Sequence, residues 1–217
     1  MKRKCLVFSL LCLLTAAVAS AAPISWTSWE LTSTGAAGTM VQDGTVIDVT
    51  YTGNAEWLSS AWYWGEGTPA PYTNNSVVDN APVSGISMSA VSAGNTLTFS
   101  EAVNDPVFAL YSVGRVNQEV QYVFDQPFAL LSEGEGPWGD GSFVMNGTTL
   151  SGYEGCGVIQ FSGAITSISW DNPIAEFHHG FTVGTVARSN PVPEPATILL
   201  FGAGLAGLAG YRRKRKR

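Results

Sequence analysis

Two histidines stand side by side, His178 and His179, and the chain has no others. Adjacent residues of a strand point to opposite faces, so the two imidazoles do not converge on one ion. Glu176 shares a face with His178 and makes a two-ligand set, short of the four that a structural zinc site takes. A better composition for a cation lies in Glu133-Gly134-Glu135-Gly136-Pro137-Trp138-Gly139-Asp140-Gly141. There Glu133, Glu135 and Asp140 offer calcium hard carboxylate oxygens on a glycine-rich loop, although the ligand order of an EF-hand is missing. The plain reading of the same loop is a solvated acidic turn, with Trp138 packed back on a sheet. No cofactor is expected apart from that calcium.

Covalent catalysis has little to work with. There is no Gly-x-Ser-x-Gly elbow, and Cys156 lacks a motif that pairs it with either histidine. Glycoside hydrolysis needs only two carboxylates at a set separation. The central region holds sixteen acids, which supply many pairs and select none. The chain therefore reads as non-enzymatic, with an unsignposted polysaccharide hydrolase as a remaining alternative. Aromatic residues give a further lead. Trp62-Tyr63-Trp64 places two indoles on one strand face, running into a Gly/Pro loop. Exposed rings stack on sugar faces, with Asn74, Asn75 or Glu66 supplying hydrogen bonds. Trp62, Trp64 and Trp138 are thus candidate glycan contacts, and core packing is the competing use of such large apolar rings.

The elements that must position these groups have a period of two. Thr45–Tyr51 places Ile47, Val49 and Tyr51 on one face, and Asn95–Ser100 turns Leu97 and Phe99 inward. Val120–Phe124 is more fully apolar, as a central strand is. Phe177, His179, Phe181 and Val183 share a face, and no amphipathic helix is evident between residues 22 and 190. β-Branched and aromatic runs punctuated by Gly, Asn, Asp and Pro predict an all-β chain with a single antiparallel β-sandwich, jelly-roll or immunoglobulin-like. Thr50-Tyr51-Thr52 and Thr96-Leu97-Thr98 are isolated in sequence, which reads against a threonine ice-binding array.

Charge divides the chain into three. Of 217 residues, 11 are basic and 17 acidic. Lys2, Arg3 and Lys4 open it, Arg212–Arg217 close it, and between them the only bases are Arg115 and Arg188. A central region without lysine excludes nucleic-acid binding, which requires clustered cations. Residues 1–21 read as a signal peptide: a basic start, an apolar run from Cys5 to Val18, and Ala19-Ser20-Ala21 for a signal peptidase that cuts after Ala21. That leaves a sandwich domain over 22–190, with Cys156 as its one cysteine, either a buried thiol or half of an intermolecular bridge.

The last segment, 191–217, has three parts: Val192-Pro193-Glu194-Pro195, an uncharged stretch over 196–211, and the basic tail 212–217. The uncharged stretch suits a transmembrane helix, ~24 Å long. Its terminal cations stay inside and keep the acidic body outside. This order of parts resembles the PEP-CTERM sorting signal, whose tail also carries the label of an ice-binding protein C-terminal domain. The resemblance implies a substrate of exosortase in an exopolysaccharide-producing bacterium. Recognition is then at Val192, Pro193, Glu194 and Pro195, with cleavage nearby. The expected path runs from a transient inner-membrane anchor, body outside, to the cell surface or extracellular matrix. The expected role is that of a non-enzymatic surface or matrix protein, a carbohydrate-binding module being the alternative and exopolysaccharide the natural partner.

Overall fold

The computed structural model describes residues 23–66 and 70–187, and Gly204. Ala19 and Ala21, the motif at 192–195, the rest of the stretch expected as a membrane helix and the basic tail lie outside the described residues. Among the described residues no helix is long and apolar enough to cross a membrane.

The described strands are β1 (Ile24–Trp26), β2 (Ser28–Thr32), β3 (Gly35–Gln42), β4 (Thr45–Thr52), β5 (Trp57–Ser59), β6 (Gly85–Met88), β7 (Ser92–Asn104), β8 (Val107–Val113), β9 (Val120–Phe124), β10 (Phe128–Gly134), β11 (Ser142–Asn146), β12 (Thr149–Tyr153), β13 (Gly155–Phe161), β14 (Ala164–Asn172) and β15 (His179–Val186). A 3-10 helix (Ala61–Trp64) and a one-turn helix α1 (Ala70–Thr73) lie between β5 and β6. The strands form two antiparallel sheets, as the period-two pattern predicts. One runs β10-β13-β8-β15-β6-β5, with β1 also paired to β15; the other runs β11-β12-β9-β14-β7-β4-β3-β2. From β7 onward the chain changes sheet at every connection except the β11–β12 hairpin.

The two sheets differ in what covers them, and their sequences differ accordingly. The eight-stranded sheet has one dry face. Along β4 the side chains of Ile47, Val49 and Tyr51 are buried while Asp48, Thr50 and Thr52 are exposed. The inner strands of the seven-stranded sheet are dry on both faces: every residue of β8 is buried, and β13 and β15 nearly so. Phe108, Leu110 and Phe181 face the other sheet, among Tyr51, Leu97 and Trp170. Val107, Ala109, Tyr111 and Val158 face outward, under Trp64, Tyr72 and Val78 of the β5–β6 connection. Each of the buried Val, Leu and Phe side chains among these contributes roughly 1.5–3 kcal/mol by leaving water.

Three expectations are corrected here. Trp62, Tyr63 and Trp64 belong to the 3-10 helix, not to a strand, so Trp62 is exposed and Trp64 buried. Phe177 precedes β15 and is exposed, whereas His179, which opens that strand, is fully buried. Finally, the Thr-x-Thr pieces are not isolated in space. The β4–β7 register sets Thr50 opposite Thr98 and Thr52 opposite Thr96, and Ser167 and Ser169 of β14 extend the hydroxyl patch.

Candidate functional site

Five connections meet at one corner of the sandwich. The β5–β6 segment supplies Trp62 and Tyr63, and the β10–β11 loop supplies Trp138. The end of β8 and the β8–β9 turn bring Ser112 and Arg115, the β12–β13 turn brings Glu154, and the β14–β15 connection brings Glu176, Phe177 and His178. These residues line one cavity of about 340 Å³. Since β8, β13 and β15 are neighbours in the seven-stranded sheet, strand order places the latter three connections together.

Its wall is a contiguous aromatic cluster. Trp62 meets Trp138 edge-on with ring centroids 5.1 Å apart. Tyr63 lies 5.4 Å from Trp138 and 5.3 Å from His178, and His178 lies 4.9 Å from Trp138. Tyr111 stacks beneath Trp138 at 5.8 Å, its hydroxyl tied to Ser87. Offset and edge-on pairs at these separations stabilise one another and fix ring orientation. Trp62 is left 51% exposed, an anchored indole with a free surface.

The floor is polar. Ser112 sits where the β8–β13 register slips, between Leu110 and Val113, with φ at 47°. A bulge re-aims side chains: Val113 turns into the inter-sheet core and Ser112 toward the cavity. Ser112 Oγ donates to Glu154 Oε1 at 2.8 Å, and Glu154 also has a left-handed backbone, φ 69°. Two of the four non-glycine residues with positive φ among the described residues therefore touch each other at this corner, a concentration of strain typical of sites that position groups. Glu176 is ion-paired with Arg115, its side chain 3% exposed. Burial raises the Glu176 carboxyl above the usual carboxylate range; Arg115 opposes that rise and nearby Glu154 adds to it. Burial also lowers the imidazole of His178, which favours its neutral form.

Of the residues singled out in sequence, Trp62 and Trp138 come together here, and Trp64 does not. Trp64 is 1% exposed and packs under the connection against Tyr72 and Tyr111. Asn75 is committed to structure: its Oδ1 accepts from the backbone N–H groups of Val77 and Val78, and its Nδ2 donates to Ser132. The carboxylates of the loop read for calcium are spread rather than gathered. Glu133 Oε2 accepts the Phe143 N–H at 2.9 Å, Glu135 lines a different cavity, and among the described residues no three His, Cys, Asp or Glu side chains gather to hold a metal. Glu176 and His178 do line one cavity, whereas His179 turns inward and bonds the Tyr122 hydroxyl through Nδ1 at 2.6 Å. Cys156 is a buried free thiol, pushed above its usual range by burial, which leaves no surface for an intermolecular bridge.

The sequence does not single out Tyr63, Ser112, Arg115 or Glu154 as site residues. Only Arg115 carried a signal in composition, as one of two cations among sixteen acids. The others are ordinary polar and aromatic residues made special by sheet crossings far apart in sequence.

Comparison with known families matches residues 191–215 to the PEP-CTERM protein-sorting motif. No curated protein and no solved structure matches the chain. The chain therefore carries a PEP-CTERM motif at its C-terminal end, the mark of an exported protein sorted by exosortase. The match begins after the last strand of the sandwich, so what the body does rests on its own geometry.

Proposed function

We propose that the protein is a non-enzymatic component of the cell surface or extracellular matrix, cut at its C-terminal signal by exosortase, and that its sandwich holds exopolysaccharide in the aromatic cleft. The observation that carries this reading is the half-exposed Trp62 braced edge-on by Trp138. A flat ring held rigid beside polar groups is suited to the apolar face of a sugar, with little entropy lost on binding. Glu154 and Ser112 stand within the same cavity as hydrogen-bonding groups. Transient membrane anchoring through 196–211 and removal of the first 21 residues by signal peptidase belong to the same reading.

The mature protein recovered from culture, tested by affinity electrophoresis in gels containing different polysaccharides, should be retarded by at least one of them. Trp62→Ala should lose most of that retardation while its thermal unfolding stays close to the parent's. Equal retardation of the parent and Trp62→Ala by every polysaccharide would sink the reading.

One observation favours hydrolysis as a second reading: Glu154 and Glu176 share the cleft, and burial raises the carboxyl of Glu176 as a general acid requires. Binding without chemistry is preferred because Ser112 already engages Glu154 and Arg115 engages Glu176. Release of reducing ends from a bound polysaccharide, lost in Glu176→Gln, would replace the first reading by the second.

A further inference from the structure

Trp62 lines two cavities. Besides the one floored by Glu154 and Glu176, it walls a second of about 400 Å³ with Gly65, Glu66, Glu135, Gly136 and Pro137. Four carboxylates thus flank one exposed indole, two in each cavity. The one cation among these lining residues is Arg115, and it is tied to Glu176. The Glu176 side chain is 3% exposed, yet its Oε1 accepts no hydrogen bond. A buried carboxylate oxygen in a cavity wall without a donor is costly unless a ligand supplies one.

The chemistry of the ligand follows from that arrangement. A polyanionic glycan meets like charge in both cavities and over a body with sixteen acids and two arginines. A neutral glycan uses the indole and leaves the carboxylates idle. A sugar bearing a protonated amine uses both: the ammonium is attracted to the indole face, and its N–H groups make charge-assisted bonds to carboxylates. We propose that the two cavities form one groove for a cationic polysaccharide whose amino sugars carry free amines. Trp62 stacks a ring at the centre, and amines are held by Glu66 and Glu135 on one side and by Glu176 on the other. This deepens the glycan-binding reading above and rests on it.

The test is calorimetric titration of the mature protein with a soluble glucosamine polymer, its fully N-acetylated counterpart of equal length, a neutral glucan and a uronic-acid polymer. The glucosamine polymer should bind at least tenfold more tightly than its acetylated counterpart, and raised salt should shrink that advantage. The double change Glu66→Gln with Glu135→Gln should remove the advantage. Asp48→Asn with Glu101→Gln alters net charge equally at exposed positions on β4 and β7, and should keep it. Equal loss in both double variants would mean bulk charge alone and would overturn the groove. Equal affinity for the acetylated polymer or the neutral glucan, or preference for the uronic-acid polymer, would overturn the amine selectivity and leave glycan binding standing. Binding of none of the four would overturn the amine proposal, and with a flat polysaccharide panel above, the parent reading as well.

Discussion

In the helix Ala61–Trp64, Trp62 keeps about half of its surface in water (51%) while Trp64 keeps 1%. One ring is free to meet a ligand, and the other fills the outer core over Tyr111. Trp64→Ala should therefore cost roughly 3–5 kcal/mol of stability, as large aromatic deletions do in cores. Trp62→Ala should cost less than about 1 kcal/mol. Urea unfolding of the two variants side by side measures the contrast. His179 is a second case of a residue decided by burial. Its imidazole is pushed down to about 3, so between pH ~6.5 and 3 the unfolded chain binds a proton that the native state refuses. The contribution of neutral His179 is full above pH ~6.5 and is lost as pH falls toward 3, with a slope of at most ~1.4 kcal/mol per pH unit. His179→Gln, which retains a polar partner for Tyr122 but does not titrate, should flatten that acid limb in denaturation curves taken across the range. An unchanged slope would show that other groups set it.

At the scale of elements, the corners between sheets carry the site, and they tolerate little change. Gly114 follows β8 with φ at 83°, and a Cβ there would stand 2.1 Å from the Gly152 carbonyl oxygen of β12. Gly114→Ala therefore combines left-handed strain with a backbone clash, and should cost about 2 kcal/mol or more. Because Arg115 is the next residue, the same variant should also weaken glycan retention, whereas Gly147→Ala, where nothing lies within 4 Å of the added carbon, should affect stability modestly and retention not at all. Thermal unfolding and affinity electrophoresis separate the two effects. The β14 end is held by a buried network that period-two reading does not anticipate: Asn172 Oδ1 accepts from Trp170 Nε1 and Asn95 Nδ2, while its own amide donates to the Gln121 carbonyl. That network joins β14, β7 and β9 beneath the connection that carries Glu176 and His178.

For the whole molecule, charge is unevenly divided along the chain. The whole chain sums to −6, yet the region 22–190 alone has sixteen acids and two bases, or −14. If both ends are removed, intact-mass spectrometry of surface-derived protein should find neither the first 21 residues nor RRKRKR. Recovery of the basic hexapeptide on surface protein would count against processing at the PEP-CTERM motif. A body this anionic should stay soluble and be drawn to cations, consistent with amine recognition in the cleft.

The sorting motif and the fold class were legible in the chain itself, because both are written in local patterns. The Pro-Glu-Pro motif, the uncharged stretch and the basic tail are contiguous residues, and so is the alternation of Ile47, Val49 and Tyr51 that marks a strand with one dry face. Trp62 and Trp138 were also visible as candidates, since large aromatics are few and conspicuous. What only the tertiary structure decided is which tryptophan is exposed and which groups stand beside it. Trp62 and Trp64 differ because a 3-10 turn, covering an outer sheet face, rotates them apart where a strand would align them. Glu154, Glu176 and Arg115 converge because β8, β13 and β15 are neighbours in the seven-stranded sheet, a matter of strand order. Strand order depends on which apolar faces close over one another, and no short stretch of sequence contains that information.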